Sequence, residues 1–441
     1  MLKVVIQPSG MRCLNVGDQA MLETAYRRLR ALWPQAEIGV FTLAPGEVRS
    51  KLPGAVPLSP EGRGQCFDLK LFGRLSKPGF PLSGMFRGFE NAAFRHLPLV
   101  QGLAAQTKMR ARGQRNCAEI ISTVQSADLF VFSGAGMITD AFASEAMECL
   151  ELMQLAKRFG ARTAILGHML GPVEDPALKA VCRRVLPGVD LITVRERVTS
   201  LPFLAECGVR GQARVTGDET LEFLLENAAV PSARNALGVN VRASYYSGVD
   251  GATASLLGGT LQKLSGQFGA RLEPLAVAHH AEDSDAATLR ALDKSFKDSI
   301  HSDEPETAIE LLRRIAGCRV VITGSYHAAV FALAQGIPAL GLAFAPYYEA
   351  KFRGLQDLFG SGCRYVNGAK RGWDEELQIA AADLWNNAWY WETELLQAAK
   401  RQAEVSRAAY DELYGIVEGQ PKVAVVPAVE PAPSRAASEG A

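Results

Sequence analysis

The chain has 441 residues, which is more than one ordinary hydrophobic core contains, so its length predicts two domains. Lysine and arginine together number 47, as do aspartate and glutamate, and this balance argues against a general nucleic-acid binder, which carries a basic surplus. The composition is typical of a globular protein in water, and no apolar run reaches the length of a transmembrane helix.

Strands and helices are predicted to alternate through the first half of the sequence. The predicted strands cover residues 3–7, 38–43, 128–133, 163–167, 190–194 and 214–216. The predicted helices cover residues 18–32, 143–158 and 198–207. This alternation is typical of a mostly parallel sheet that helices cover on both faces, and we interpret residues 1–225 as a Rossmann-like domain.

An insertion at about residues 53–115 interrupts this alternation. It is rich in proline, glycine and basic side chains and contains few acidic ones. We interpret it as a solvated surface segment; the alternative is a patch for an anionic acceptor or a membrane surface. Residues 222–235 are the predicted connection to the next domain.

The alternation resumes in residues 226–372, which we interpret as a second Rossmann-like domain. Its predicted strands cover residues 237–242, 271–278, 319–323 and 339–344, and its helices include 252–268 and 305–316. Residues 373–418 are predicted to be helical, and residues 419–441 lack an apolar pattern and predict a disordered tail. We therefore expect an α/β protein in which two doubly wound domains face a central cleft.

His327 lies near the start of a very apolar segment, VITGSYHAAVFALAQGIPALGL. The segment predicts a strand, a turn at Gly324 and Ser325, a helix that Ser325 caps, and a second strand. His327 then lies in the first helical turn at the carboxyl end of a parallel strand, which is the edge at which open α/β sheets bind ligands. Helix N-termini also favour anions. The alternative is a histidine that only caps or packs.

Further candidates lie where other predicted strands end. Asn15, Gly17 and Asp18 form a loop that could bring backbone amides to an anion, although Asp18 could cap those amides itself. Gly134 and Gly136 follow a buried strand and suit close approach of a phosphate or carboxylate, or else only a tight turn.

Charged and polar side chains are predicted at the same edge. Arg195 lies at a strand end, where it could hold a phosphate or carboxylate with two parallel hydrogen bonds, or else pair with Glu196. Asp218 and Lys351 follow other predicted strands. In HHAEDSD, adjacent side chains of a strand point to opposite faces, so we do not favour a metal site and expect His279 to make a polar contact in the cleft.

The eight cysteines form no CxxC pair. In a chain of this length they are typical of buried small side chains in a reducing compartment, and no zinc site is expected. The N-terminal sequence lacks the apolar core of a signal peptide. We therefore expect a cytoplasmic protein.

The order of these motifs along the chain resembles the polysaccharide pyruvyl transferase family. The stretches that carry the resemblance are NVGDQAML, SGAGMITD, GPV, VRERVTS, VTGDETL, HH and TGSYHAAVFALAQGIPALGL, followed by Lys351. Members have a two-domain fold similar to GT-B glycosyltransferases. They typically transfer the enolpyruvyl skeleton of phosphoenolpyruvate to a sugar, commonly leaving a cyclic pyruvate ketal and free phosphate.

The resemblance implies a role for each candidate, with His327 as the general acid or base. The residues that would hold the anionic groups of the donor are Arg195, Arg242, Gly324, Ser325 and Lys351. The residues that would form the acceptor side of the cleft are Asn15, Gly17, Asp18, Gly134, Gly136, Asp218 and His279. No metal or cofactor is implied. The partners would be phosphoenolpyruvate and a sugar or polysaccharide precursor of the cell envelope, with no nucleic acid and with peripheral membrane contact left open.

One position departs from the family pattern. Many members carry arginine two residues before the histidine, where this chain has Ser325, and Arg195, Arg242 or Lys351 would have to supply the missing charge. Two alternative functions stay open. One is a GT-B glycosyltransferase or sugar-nucleotide epimerase that binds a nucleotide in the same cleft, and the other is a catalytically silent relative that binds a glycan or a protein.

Overall fold

In the computed structural model, residues 1–65, 82–85, 98–111, 113–229, 233–243, 247–280, 284–292 and 307–419 are described. The strands of the first sheet are β1 (Lys3–Pro8), β2 (Glu37–Phe41), β3 (Ala55–Leu58), β4 (Leu129–Ile138), β5 (Arg162–Leu170), β6 (Leu191–Val194) and β7 (Ala213–Val215). They lie in the spatial order β3-β2-β1-β4-β5-β6-β7, and neighbouring strands are parallel.

A second parallel sheet follows in the chain. Its strands are β8 (Ala236–Asn240), β9 (Arg271–Pro274), β10 (Cys318–Thr323), β11 (Ala339–Ala343) and β12 (Cys363–Asn367). They lie in the spatial order β12-β11-β10-β8-β9, again with parallel neighbours. The predicted α/β class with two doubly wound sheets is confirmed.

Helices connect the strands. In the first half they are α1 (Val16–Leu32), α2 (Pro45–Lys51), α3 (Pro98–Ala111), α4 (Arg115–Gln125), α5 (Ala143–Phe159), α6 (Pro176–Val185), α7 (Ser200–Glu206) and α8 (Thr220–Glu226). In the second half they are α9 (Gly251–Phe268), α10 (Asp285–Leu292), α11 (Ala308–Ala316), α12 (Tyr326–Leu333), α13 (Pro346–Phe359), α14 (Trp373–Asn386) and α15 (Ala388–Glu418). Within the described ranges, none of these helices is long and apolar enough to cross a membrane.

In each sheet, the order in which successive strands are added along the sheet reverses at one point, while the strands themselves stay parallel. In the first sheet the reversal lies between β1 and β4, and in the second sheet it lies between β8 and β10. Crevices form at the carboxyl ends of the strands on either side of such a reversal, and ligands bind there. The two reversals therefore place the ends of β1, β4, β8 and β10 where the candidate residues were predicted.

Buried apolar side chains cover both faces of the first sheet. Val4 and Ile6 belong to one hydrophobic cluster and Val5 to another, because successive side chains of a strand point to opposite faces. The cluster that contains Val5 also contains Phe132 of the first sheet and Phe331 of α12. The two sheets therefore share one continuous core beneath the cleft.

Helix α15 follows the second sheet in the chain and returns to the first. The Trp33 ring, just after α1, stacks on Tyr414, and its indole N–H donates to Glu418 at 2.8 Å. Arg28 of α1 donates to Ser406 at 2.7 Å. The last described helix is thus part of the support of the first sheet.

Several sequence predictions need correction. Gly134 and Gly136 do not follow a strand as a loop but lie inside β4, where positive φ angles at Gly134 and Ala135 form a bulge and pairing with β5 continues beyond it. The predicted connection at residues 222–235 begins too early, because α8 continues to Glu226. Edge strand β3 was not predicted, since it is short and lies inside the insertion. The predicted tail covers residues 419–441, of which residues 420–441 lie outside the described residues, and the exact domain boundaries stay a prediction.

Candidate active site

A cavity of about 680 Å³ lies between the two sheets at the carboxyl ends of their strands. The predicted site residues that line it are Asn15, Asp18, Gly136, Arg195, Arg242, Ser325, His327 and Lys351. The other lining residues include Ser9, Met11, Arg12, Leu43, Phe142, Glu145, His280, Tyr326, Tyr347 and Tyr348. Its volume is in the range of sites for small-molecule ligands.

Asn15 caps helix α1. Its side-chain oxygen accepts hydrogen bonds from the amides of Gly17 at 2.9 Å and of Asp18 at 3.2 Å. Because Asn15 is the cap, these amides do not donate to the Asp18 carboxylate, so the alternative that Asp18 caps the helix itself is wrong. Asp18 instead lines the cavity, and its Oδ1 lies 3.9 Å from Nδ1 of His327.

His327 is held in place by its helix and by the opposite domain. Ser325 accepts a hydrogen bond from the amide of Ala328 and caps α12, so His327 lies in the first turn, as predicted. Its ring packs directly on Gly17, where an added β-carbon would lie only 2.0 Å from the imidazole Cγ. Nε2 lies 3.3 Å from the sulfur of Met21. A thioether is a weak acceptor, so Nδ1 is the nitrogen that faces the stronger partner, Asp18.

Burial lowers the pKa of His327 below its ordinary value. The carboxylates of Asp218 and Asp18 act in the opposite direction, and Arg195 and Lys351 add to the lowering. The neutral imidazole is therefore favoured in the protein by itself. A ligand that brings negative charge next to the ring would raise its pKa again.

Arg195 directly follows β6, and only 1% of its surface is exposed. Its guanidinium stacks on the ring of Tyr326 at 3.8 Å, and Nη1 lies 3.8 Å from Asp218 Oδ2, which is too far for a hydrogen bond. In the described part of the chain, Nε and Nη1 have no hydrogen-bond partner. A buried arginine with unpartnered N–H groups beside a cavity is well suited to bind an anionic ligand.

Lys351 of α13 completes a cationic corner with Arg195. Its Nζ lies 3.9 Å from the ring centre of Tyr347, and burial together with Arg195 lowers its pKa well below the ordinary value. A β-carbon added at Gly136 would lie 3.0 Å from Arg195 Nη2 and 3.4 Å from Lys351 Cε. A side chain at position 136 would therefore crowd both cations, and the Gly136 carbonyl accepts a hydrogen bond from Tyr347 at 3.0 Å.

Arg242 follows β8 and also lines the cavity. Its Nη1 lies 3.3 Å from Asp285 Oδ1. Asp285 Oδ2 also accepts hydrogen bonds from the amides of Val277 and Ala278, both at 3.0 Å. Arg242 therefore brings a charge that Asp285 partly neutralises.

The remaining predicted residues lie around the cavity but do not line it. Gly134 packs on Met21, and Asp218 lies behind Arg195. Gly324 lines a much smaller neighbouring pocket. His280 lines the cavity and His279 does not, but the His279 amide donates to the Leu14 carbonyl, and the predicted polar contact of the His279 side chain stays a prediction. The rule that adjacent side chains of a strand point to opposite faces does not apply to His279 and His280, because β9 ends before them at Pro274.

One arginine of the basic insertion is not solvated, contrary to the prediction. Arg63 is buried, forms an ion pair with Glu148 at 3.0 Å and donates to Gln7 at 3.1 Å. Much of the insertion, residues 66–81 and 86–97, lies outside the described residues. Whether that part contacts a membrane or an anionic acceptor stays a prediction.

Four residues with direct roles in the site geometry were not singled out from the sequence: Met21, Asp285, Tyr326 and Tyr347. Tyr326 directly precedes His327, and Tyr347 is four residues before Lys351, so proximity to predicted residues was an available signal for both. Met21 contacts His327 from a distant part of the chain, and the sequence contains no local signal for that contact. Asp285 lies at the end of HHAEDSD and accepts from the nearby amides of Val277 and Ala278.

Solved structures share the fold at low sequence identity. A Listeria monocytogenes protein named as a putative UDP-N-acetylglucosamine 2-epimerase has a TM-score of 0.54 and 12% identity over 96% of this chain and 100% of that chain. Os79 from O. sativa has a TM-score of 0.53 and 12% identity over 94% of this chain and 100% of that chain. Phytolacca americana UGT2 has a TM-score of 0.52 and 11% identity over 95% of this chain and 99% of that chain. These likenesses show the fold alone, and the GT-B-like architecture is confirmed.

The sequence provides the family. No curated protein matches the chain significantly. The profile of the family described as polysaccharide pyruvyl transferase matches residues 15–345, a range that includes most of both sheets up to the start of α13 and much of the cavity lining. The chain therefore belongs to the polysaccharide pyruvyl transferase family.

Proposed function

We propose that this protein transfers the pyruvyl group of phosphoenolpyruvate to hydroxyl groups of a sugar in a polysaccharide or its precursor, leaving a pyruvate ketal and free phosphate. One observation carries the proposal: His327 lines a single cavity together with Arg12 and the three predicted cationic side chains, Arg195, Arg242 and Lys351. Membership of the family supports the same reaction.

The donor is a small polyanion with a phosphate and a carboxylate. The side chains of Arg195 and Lys351 converge beside Gly136, and we assign the phosphate of the donor to these two cations. Charge pairs in a buried site interact more strongly than in water. A bound anion would favour the charged form of Lys351, whose pKa burial otherwise lowers.

Ser325 occupies the position at which many family members have arginine. Here its hydroxyl caps α12 and it brings no charge to the cavity that it lines. Arg242 and Lys351 line the same cavity, and we assign to them the charge that the arginine would supply. Positive side chains aimed at the departing phosphate stabilise the charge that develops there.

His327 would supply the proton that the methylene carbon of the donor must gain. Its Nδ1 lies near Asp18, which also lines the cavity, and the negative donor would raise the lowered pKa of the imidazole. General acid catalysis of this kind contributes about 10²–10⁴-fold to the rate. Replacing His327 should therefore remove turnover without removing donor binding.

Nucleotide-sugar chemistry is the competing function. The Os79 and Phytolacca americana UGT2 structures are complexes with U2F and with UDP-2fluoro-glucose, so the same architecture holds such donors in those proteins. A catalytically silent glycan or protein binder is the other competitor. The cytoplasmic location and any membrane contact also stay predictions.

Ligand-induced thermal stabilisation separates these functions without knowledge of the acceptor. The unfolding temperature is measured with phosphoenolpyruvate and, separately, with UDP-glucose and UDP-N-acetylglucosamine. The proteins are the wild type, His327→Ala, Arg195→Ala and the exposed-surface control Arg371→Ala. A ligand at about 100 times its dissociation constant stabilises the fold by about 2.7 kcal/mol, which is measurable.

We expect phosphoenolpyruvate alone to stabilise the wild type. Arg195→Ala should weaken this stabilisation because it removes the guanidinium N–H donors from the donor site. His327→Ala and Arg371→Ala should keep the stabilisation. Stabilisation by a UDP-sugar only would reject the proposal in favour of the glycosyltransferase or epimerase. A response to neither donor class would favour the silent relative.

A further inference from the structure

Two titratable side chains from different halves of the chain face each other in the cavity. Asp18 comes from α1, His327 comes from α12, and Asp18 Oδ1 lies 3.9 Å from His327 Nδ1. This distance is too long for a direct hydrogen bond. A hydroxyl oxygen beside the pair can, however, lie about 2.8 Å from both atoms.

Among the described residues, neither Asp18 nor Nδ1 of His327 has another strong hydrogen-bond partner. Asn15 accepts the hydrogen bonds from the first amides of α1, so Asp18 is not used as the helix cap. His327 Nε2 is directed at the sulfur of Met21, which leaves Nδ1 toward Asp18. Both side chains line the cavity, and the Asp18 side chain is 23% exposed.

We propose that the Asp18 carboxylate is the second proton-transfer group of this site and works in alternation with His327. The inference rests on the proposed function, because a ketal requires more than one proton transfer. Both sugar hydroxyls lose a proton, the methylene carbon of the donor gains one, and the phosphate leaves with one. A single imidazole cannot hold and release protons for two concurrent transfers, whereas a carboxylate and an imidazolium together can.

The first step adds one hydroxyl to the donor. The hydroxyl oxygen forms a bond to C2 of phosphoenolpyruvate while its proton passes to Asp18. At the same time the C2–C3 double bond opens, and C3 takes a proton from the imidazolium of His327. The product is a tetrahedral adduct that still carries the phosphate, and it leaves a protonated Asp18 and a neutral His327.

The second step closes the ketal and resets the site. The C2–O bond to the phosphate breaks, and the second hydroxyl oxygen bonds to C2. Its proton passes to His327, and the protonated Asp18 gives its proton to the departing phosphate. Asp18 is then again a carboxylate and His327 an imidazolium, so that no proton or electron is left over and no further reactant is needed.

The test compares Asp18→Asn with the wild type and with Glu145→Gln. Glu145 is a second carboxylate that lines the same cavity, so its variant removes an equal charge. Phosphate release from phosphoenolpyruvate is measured with methyl glycosides of glucose, galactose and mannose and with their N-acetylated analogues. For each variant we also measure the unfolding temperature, the stabilisation by phosphoenolpyruvate and the separate values of kcat and KM.

We expect Asp18→Asn to lower kcat by about 10²–10⁴-fold, with an unchanged KM for phosphoenolpyruvate and an unchanged unfolding temperature. Glu145→Gln should lower kcat by less than about tenfold, and Asp18→Glu should recover part of the lost rate. A merely structural role for Asp18 would move KM or the unfolding temperature instead.

Three results would overturn the inference. One is an Asp18→Asn enzyme that keeps kcat within about tenfold of the wild type. Another is an equal loss in Glu145→Gln, which would mean that only the cavity charge matters. The third is a wild type that releases no phosphate with any of these sugars, which rejects the proposed function itself and the role of Asp18 with it.

Discussion

The missing side chain at Gly17 is what leaves room for the imidazole of His327. We predict that Gly17→Ala displaces the ring, because the new methyl carbon would lie 2.0 Å from Cγ and 2.1 Å from Nδ1. Phosphate release should fall by as much as in His327→Ala, and the overpacking should cost about 1–3 kcal/mol of stability. Kinetics and denaturant unfolding of the variant check both effects.

Gly259→Ala is the matched control for this change. Gly259 also lies in a helix, α9, but nothing lies within 4 Å of the position of an added β-carbon. Alanine there should leave phosphate release unchanged and stabilise the helix by up to about 1 kcal/mol. Full activity in Gly17→Ala would show that the ring does not rest on this glycine during turnover.

At the residue scale, the sequence was sufficient to locate residues at the ends of strands. It was not sufficient to predict which of those residues contact each other. Arg195 and His327 lie where the apolar runs stop, and that local pattern was sufficient to find them. The contact of Gly17 with His327 and the stacking of Arg195 on Tyr326 depend on tertiary packing. Neither contact has a periodic signal, because the partners belong to separate elements.

Helix α15 meets the first sheet at a buried carboxylate. Glu219, the residue after Asp218, is 1% exposed and accepts a hydrogen bond from the Tyr410 hydroxyl of α15 at 2.5 Å. Burial raises the pKa of Glu219 from 4.5 to about 7, while the Tyr410 hydrogen bond and Arg28 act against the shift. The anion is therefore the unfavourable form of this side chain in the folded protein.

The raised pKa predicts a pH-dependent contribution of Glu219 to stability. Its contribution is fully present below pH 4.5, where the folded and unfolded states are both protonated, and is lost as the pH rises through about 7. The amide side chain that Glu219→Gln introduces cannot ionise. The variant should therefore become more stable relative to the wild type between about pH 5 and pH 8, as measured by denaturant unfolding at each pH.

Glu404→Gln supplies the comparison, since Glu404 is an exposed carboxylate on the same helix as Tyr410. Its stability difference from the wild type should stay nearly constant over this pH range. A constant difference for Glu219→Gln as well would mean that Glu219 is already ionised at low pH in the folded protein.

At the element scale, apolar periodicity predicted the central strands well and the irregular elements poorly. The bulge in β4 was taken for a loop because two glycines and an alanine follow the apolar run, whereas the backbone there continues to pair with β5. Strand β9 ends at Pro274, earlier than predicted, since proline interrupts the ladder. Residues 275–279 stay extended enough for Ala278 to pair with Asn15 of the other half.

At the scale of the whole molecule, a short backbone clamp joins the two halves at the cleft. The Val16 amide donates to the Val277 carbonyl at 2.9 Å, and the His279 amide donates to the Leu14 carbonyl at 2.8 Å. Asp285 holds the second-half side of the clamp, because it accepts from the amides of Val277 and Ala278. The same carboxylate therefore fixes the clamp and Arg242.

We predict that Asp285→Asn destabilises the protein by about 1–3 kcal/mol. Asparagine has one acceptor oxygen and a donor NH2 group in place of the second oxygen, so a buried donor is left without a partner and Arg242 loses its counter-ion. Hydrogen exchange at Val16 and His279 should become faster. Denaturant unfolding and amide exchange are the measurements.

Asp250→Asn is the appropriate reference variant. Asp250 caps α9 through the amide of Thr253 at 2.8 Å, and asparagine caps helices about as well as aspartate. Its effect on stability should be much smaller than that of Asp285→Asn. If Asp285→Asn behaved in the same way, the clamp would not depend on this carboxylate.

The overall architecture could be predicted, but the order of its strands could not. Alternating elements were enough to infer two parallel sheets that face each other, because few other folds satisfy that pattern. The reversals between β1 and β4 and between β8 and β10 arise from the packing of the assembled sheets. These reversals decide which loops meet in the cavity.

The return of α15 to the first sheet also has a consequence for how the protein is made. Trp33 leaves the ribosome well before its partner Glu418, which is 385 positions further along the chain. At about 5–20 residues per second, the surface around Trp33 waits roughly 20–80 s before α15 exists to cover it. During that interval the apolar cluster around Trp33 lacks Tyr410 and Leu413 of α15, and chaperones that hold incomplete chains can bind there.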